Sequence, residues 1–238
     1  MRLVVIDHIH ADTVPRQRLW ARLRWMLLGL LLVSTAVTAE TQRCPAGRVL
    51  VNAADLRDAE MVCQGASDAV RFLEGLGLDV GVEVVIHIVE QLPEAAGPNA
   101  AGCYVQTGGC VYALPCKVFT RQNAAHGGPV GLLPYRSLIT HEVAHAIADH
   151  NFTVSRPTIQ AHEYIAAVTT FAAMPPALRT RILDALPGDG FDAEEQISAT
   201  LFLLAPHWFG AQAYRHYNLP GNGPVFLRKV LTGDALSE

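Results

Sequence analysis

The sequence predicts an α+β fold, with a small N-terminal sheet that includes a hairpin, an active-site helix and a helical C-terminal half. Three observations predict this class. β-Branched residues concentrate in residues 82–89, two short apolar runs flank a glycine pair after them, and helical patterns fill the chain from residue 134 onward. A block of strands followed by a block of helices is typical of α+β proteins.

Residues 1–39 have the pattern of a secretory signal peptide. Arginines within residues 16–24 precede a short apolar run at residues 25–33, and small residues follow up to Ala39. This order predicts cleavage after Ala39. An uncleaved anchor is the alternative, although the apolar run is shorter than the roughly 20 residues that span a bilayer. The long stretch ahead of the arginines leaves open a true start site nearer to them.

The rest of the chain, residues 40–238, is expected to form a single domain. Half of the residues in the whole sequence are hydrophobic and 17% are charged, so the chain has enough apolar residues to form a buried core. Removing residues 1–39 removes five Arg and two Asp, which leaves 13 basic and 20 acidic side chains and a formal charge of −7. This charge excludes the positive surface that nucleic-acid binding needs. Because of the signal-peptide pattern, we expect a periplasmic or secreted protein without a stable membrane span after cleavage. The sequence does not indicate its oligomeric state.

All five cysteines follow the predicted cleavage site. Because exported proteins meet an oxidising compartment, disulfide bonds are expected. The spacing does not fix the pairing, but Cys103 and Cys110 flank a turn-like segment and are one candidate pair across a hairpin. A zinc cluster of cysteines is the alternative, and the absence of any Cys-x-x-Cys pair disfavours it.

The elements ahead of residue 134 are predicted from local patterns. Residues 66–75 have a capping candidate, apolar residues at helical spacing and terminal glycines, which predict a helix. Residues 82–89 are mostly apolar and β-branched, which predicts a strand largely buried on both faces. Residues 103–105 and 110–114, on either side of the glycine pair, predict a β-hairpin. Residues 121–130 contain a Gly-Gly-Pro and are expected to form a loop.

Helices are predicted for the remainder of the chain. Pro134 suits a first helical turn, and residues 135–148 contain neither Gly nor Pro. Further helices are predicted over residues 157–174, 177–186, 193–204 and 207–217.

The helix after Pro134 contains the motif His141-Glu142-Val-Ala-His145. Because the two histidines are four residues apart, their imidazoles project from one face of the helix, about one turn apart. This spacing suits two nitrogen ligands of one Zn²⁺ at about 2.0–2.1 Å. Glu142 lies one step around the helix, where it can take a proton from a zinc-bound water whose pKa is lowered toward about 7.

A catalytic zinc site needs a third protein ligand and one open position. Glu163 is the first candidate, because it lies in an apolar helical stripe where a carboxylate is costly unless it is paired or binds a metal. A carboxylate that reaches solvent or an arginine is the alternative interpretation. His162 is the competing ligand, since it also has apolar neighbours. Asp149 and His150 are nearer in sequence but are expected to point away or to cap the helix end.

The motif resembles the signature of the zincin metallopeptidases, and a following glutamate on a second helix resembles their gluzincin branch. The resemblance covers roughly residues 65–175 and is nearest to uncharacterised exported zincin-like proteins. Seventeen residues separate His145 from Glu163, slightly fewer than those families usually have, and Ala167 stands where thermolysin-like enzymes have an orienting Asp. The metzincin pattern fails, because this chain has Ala148 and Asn151 at the positions that pattern specifies.

The resemblance implies a peptide or protein substrate and an edge strand that binds it in an extended form. It implies His141, His145 and Glu163 as zinc ligands and Glu142 as the general base. Zincin peptidases also place a His or Tyr near the developing oxyanion. The candidates here are His207, Tyr214, His216 and Tyr217.

The sequence therefore predicts an exported zinc-dependent hydrolase, and a metallopeptidase in particular. Two alternatives stay open. The chain could be a zinc-binding envelope or interaction module that keeps the zincin fold without turnover. The metal could also be purely structural, with a fourth side chain such as His162 closing its coordination.

Overall fold

A computed structural model describes residues 40–97, 100–126 and 134–237. The predicted signal peptide lies outside the described residues, and so do residues 127–130 of the predicted loop. Within the described ranges, no helix is both long and apolar enough to cross a membrane.

A mixed sheet of five strands forms the N-terminal part of the described chain. The strands follow the order β1-β2-β3-β5-β4 across the sheet. The central strand β3 is parallel to β2 and β5, whereas β1 is antiparallel to β2 and β4 is antiparallel to β5. The outermost strand β4 therefore has one neighbour, β5. The strands are β1 (Glu40–Arg43), β2 (Arg48–Ala53), β3 (Glu83–Ile88), β4 (Gly102–Val105) and β5 (Cys110–Ala113).

Helices make up most of the rest, so the α+β class with a helical C-terminal half is confirmed. Helices α1 and α3 pack against each other and against the sheet, α4 packs on α3, and α7 packs on α4. The helices described are α1 (Leu56–Gly75), α2 (Cys116–His126), α3 (Tyr135–Asn151), α4 (Ile159–Ala173), α5 (Pro176–Ala185), α6 (Ala199–Leu204), α7 (Pro206–Tyr217) and α8 (Gly223–Thr232).

The core lies between the sheet and the helices α1 and α3. Alternate residues of β2 and β3 are buried, among them Val49, Val51, Val84 and Ile86. This alternation is expected because successive strand residues point to opposite faces. The other face of β3 is only half-buried, so the prediction of a strand buried on both faces is wrong.

Several helix boundaries differ from the predictions. Helix α1 begins at Leu56 instead of residue 66, because Asp55 caps it by accepting a hydrogen bond from the backbone of Arg57. Residues 121–126 belong to α2 and not to a loop. The helix predicted over residues 193–204 is a short 3-10 turn at Glu194–Gln196 followed by α6. Strands β1 and β2 and helix α8 were not predicted.

The structure contains a disulfide bond between Cys44 and Cys63, with 5.1 Å between their Cα atoms. The hairpin β4–β5 is confirmed, but its register pairs Cys103 with Tyr112 and Cys110 with Val105. The two cysteines are thus diagonal neighbours, a relation that separates residues by about 7–8 Å, which is too far for a disulfide. The prediction that they face each other is wrong, and both are free thiols, as is Cys116.

Candidate metal centre

Helix α3 carries His141, Glu142 and His145 in the interior of the helical layer. The helix packs between α1 and α4, and a stripe of its residues is buried. Thr140, beside the motif, donates a hydrogen bond to the backbone carbonyl of Gly65 in α1 at 3.0 Å. This contact fixes the rotation of α3, so that the two histidines face α4.

Helix α4 brings Glu163 to these histidines. The Nε2 atoms of His141 and His145 lie 3.1 Å apart. Glu163 Oε2 lies 3.3 Å from Nε2 of His141, and Oε1 lies 3.5 Å from Nε2 of His145. Tetrahedral zinc with ligands at about 2.0–2.1 Å requires donor atoms roughly 3.3 Å from one another, and the separations between the two imidazoles and the Glu163 carboxylate are close to that.

These three residues form a group that could hold a metal ion. Among the described residues, it is the one group of at least three His, Cys, Asp or Glu side chains that lie close enough together to do so. Glu163 Oε2 supports this interpretation. It is buried and has no hydrogen-bond partner of good geometry among the described residues, although it lies 3.3 Å from Nε2 of His141. A buried carboxylate oxygen without a partner is costly, and a cation in this group would satisfy it.

The charges of the group are strongly coupled. Burial lowers the pKa of His145 to about 3, with the charge of His141 acting in the same direction. Burial also disfavours charge on His141, but Glu163 outweighs it and raises the pKa of His141. The pKa of Glu163 is lowered, because His141, His145 and His162 together outweigh the effect of burial. Glu163 therefore stays anionic and His145 stays neutral, which are the forms that bind a metal.

Glu142 lies beside the group without belonging to it. Its side chain is only 7% exposed, and burial raises its pKa to about 7, although His141 and the backbone N–H of Tyr104 lower it. Strand β4 borders this side chain, since a Cβ added to Gly102 would lie 3.2 Å from Cγ of Glu142. Glu142 is thus enclosed between α3 and the edge strand, with a pKa that suits proton transfer near neutral pH.

The competing ligands occupy other positions. His162 packs its ring 5.8 Å from that of His145 but is not part of the group. His150 lies 3.1 Å from Asp79. Asp149 neither caps α3 nor reaches the group; it accepts hydrogen bonds from the hydroxyl of Tyr104 and the amide of Gln106.

Among the four candidates for the oxyanion contact, His207 is the one whose pKa is influenced by a residue of the metal-ligand group. Burial lowers the pKa of His207, and the charge of His141 acts in the same direction. The other three pack elsewhere: Tyr214 stacks on Phe171, the buried His216 hydrogen-bonds to the hydroxyl of Tyr164, and Tyr217 contacts Phe72.

The sequence interpretation missed the contribution of strand β4. Gly102 and Tyr104 share the face that points to α3, an alternation that could have been noticed in the hairpin. His141, His145 and Asp149 are also spaced by four residues each, which places them along one side of a helix. That spacing could have indicated that Asp149 points toward the same part of the molecule as the two histidines.

Comparisons with known proteins add a family to this description. No curated protein and no solved structure matches the chain. The sequence profile of a family of unknown function, DUF6639, matches residues 49–238. These residues include the sheet from β2 onward, α3, α4 and the whole candidate metal centre, and the chain therefore belongs to this family of unknown function.

Proposed function

We propose that this protein is an exported zinc-dependent hydrolase of the zincin type that cleaves peptide bonds. The observation that carries the proposal is the position of Glu142. It is buried next to three side chains that fit a tetrahedral zinc ion, and it lies against an edge strand. A base, a metal site and an unpaired strand edge in one place are what peptide hydrolysis by a zinc enzyme requires.

His141, His145 and Glu163 would hold the metal. When bound, zinc supplies a Lewis acid that lowers the pKa of a coordinated water toward about 7. Glu142 would take a proton at its carboxylate from the attacking water and would later deliver it to the leaving amine. His207, in the N-terminal turn of α7, would be the candidate donor of a hydrogen bond to the oxyanion of the scissile carbonyl.

Strand β4 supports a peptide as the substrate. It has β5 as its one neighbour in the described sheet, so its outer side could receive an extended chain, although the backbone N–H of Tyr104 already faces Glu142. Export is supported by the Cys44–Cys63 disulfide, which is compatible with an oxidising compartment.

The test is a peptide-library digest with the zinc-loaded protein, with and without a chelator. We expect cleavage that the chelator abolishes. Glu142→Gln should retain zinc and lose about 10²–10⁴-fold in kcat, while the exposed Glu60→Gln serves as a control with wild-type activity. Cleavage by Glu142→Gln at the wild-type rate would refute the mechanism. A zinc-loaded protein that cleaves no peptide would favour the non-catalytic module instead.

A further inference from the structure

Asp149 is a carboxylate outside the ligand group that joins the edge strand to the metal-binding helix. Its Oδ2 accepts a hydrogen bond from the hydroxyl of Tyr104 at 2.9 Å. Its Oδ1 accepts one from the side-chain amide of Gln106 at 2.6 Å. Both donors belong to the segment that forms β4 and the turn after it. Hydrogen bonds to a charged acceptor are stronger than neutral ones, so Asp149 is a firm attachment for this segment.

The segment that Asp149 holds is the one beside Glu142. Gly102 lies against the Glu142 side chain, and Tyr104 lies two residues further along the same face of β4. Because β4 is an edge strand of the described sheet, its ladder with β5 holds it on one side. Asp149 supplies an attachment from α3 itself, the helix that carries Glu142.

Asp149 also borders the metal centre through His162. Nε2 of His162 lies 3.9 Å from Oδ1 of Asp149. The ring of His162 lies 5.8 Å from that of His145 and 4.7 Å from that of Phe152. His162, which packs on the candidate ligand His145, is thus confined between Asp149 and the ring of Phe152.

We propose that Asp149 is a positioning residue, which keeps β4 in place beside Glu142 and confines His162 against the metal centre. Its catalytic consequence rests on the proposed function, whereas its effect on the strand does not. Loss of this carboxylate should therefore loosen residues 102–106 and slow turnover without removing zinc.

The test compares three variants of the full chain loaded with zinc. Asp149→Asn removes the negative charge and replaces one of the two acceptor oxygens with an NH2 group, which then faces one of the two donors. Tyr104→Phe removes one of those donors. Asp79→Asn is the matched control, because Asp79 contacts His150 at the end of the same helix. Amide hydrogen exchange is measured by mass spectrometry, zinc affinity by chelator competition, and kcat and KM on a peptide found in the library digest.

We expect amide exchange in residues 102–106 to rise about tenfold in Asp149→Asn and less in Tyr104→Phe. It should not change in Asp79→Asn. Zinc affinity should stay the same in all three variants, and kcat should fall about tenfold in Asp149→Asn. Unchanged exchange in residues 102–106 would overturn the proposal, and so would a faster exchange with unchanged kcat. If Asp149→Asn does not fold, Tyr104→Phe decides by the same criteria. If the wild-type protein cleaves no peptide, the proposed function fails, and the exchange data alone still support or overturn the positioning of β4.

Discussion

Two buried glutamates of the metal centre differ in their charge at neutral pH. Burial acts on both, and it raises the pKa of Glu142 to about 7. In Glu163 the same effect is outweighed by three histidines, so its pKa is lowered. Environments that separate the pKa values of two neighbouring carboxyls assign them different roles. Glu163 is suited to remain an anion that binds a cation, and Glu142 is suited to accept and release a proton.

The assignment of Glu163 as the third ligand can be tested by separate alanine substitutions of Glu163 and of the adjacent competing candidate, His162. Glu163→Ala removes one of three ligand atoms, so we expect zinc affinity to fall by about 10²-fold or more. His162→Ala is the matched control, since it removes the neighbouring side chain and leaves the ligand atoms intact. Affinity is measured by chelator competition. A larger loss in His162→Ala than in Glu163→Ala would show that the ligands are assigned wrongly.

The sequence predicts the metal centre at the residue scale because most of its determinants are local. His141 and His145 share a helix face through their spacing alone, and Glu163 was identified by the cost of a carboxylate among apolar neighbours. The contact of Asp149 with Tyr104 joins residues 45 positions apart. The strand that brings Tyr104 to α3 is placed by pairing with β5, which the helical pattern of α3 does not encode.

At the scale of elements, the close crossing of α1 and α3 positions the helix that carries the candidate ligands His141 and His145. A Cβ added to Gly65 would lie 2.6 Å from the backbone carbonyl oxygen of Arg136 and 2.8 Å from Cβ of Ile139. The missing side chain therefore allows the two helices to touch. This explains why α1 continues through Gly65, although glycine inside a helix costs about 1 kcal/mol relative to alanine. A pattern within α1 alone could not reveal this crossing contact.

Gly65→Ala should destabilise the protein because the added methyl group separates the two helices. Overpacking of this kind costs about 1–3 kcal/mol. Gly75→Ala is the matched control, because Gly75 ends the same helix with no atom within 4 Å of an added Cβ. Urea unfolding followed by circular dichroism gives the free energy of unfolding of both variants. Equal stability of Gly65→Ala and Gly75→Ala would contradict the close crossing.

The ion pair between Asp68 of α1 and Arg136 of α3 reinforces the same crossing. Both guanidinium contacts reach the buried Asp68 carboxylate, one from Nε and one from Nη2. Such a forked contact fixes direction as well as distance. Gly65 and this pair therefore determine the orientation of α3, and hence the direction in which the motif histidines point.

At the scale of the whole molecule, the order of strands and helices along the chain was enough to predict the α+β class. The strands precede α3 and helices fill the chain after it. Helix α1 is the exception, because it lies between β2 and β3 in the chain and packs on α3. The topology of the sheet was not predictable in the same way. Strand β1 is polar and exposed along its length, so nothing in its residues indicates a strand. Its pairing with β2 is a tertiary property.

The disulfide Cys44–Cys63 connects the start of the sheet to α1, and we expect it to contribute to the stability of the entire fold. It closes a loop with a sequence separation of 19 residues, for which a cross-link contributes about 3 kcal/mol by restricting the unfolded chain. The double variant Cys44→Ala/Cys63→Ala should therefore lose about 3 kcal/mol in urea unfolding. Cys110→Ala is the control, since Cys110 is a free thiol near the surface. Because α1 in turn positions α3, the double variant should also release zinc at a lower urea concentration than the control. Unfolding at the same urea concentration in both variants would mean that the disulfide does not stabilise the layer that carries the metal centre.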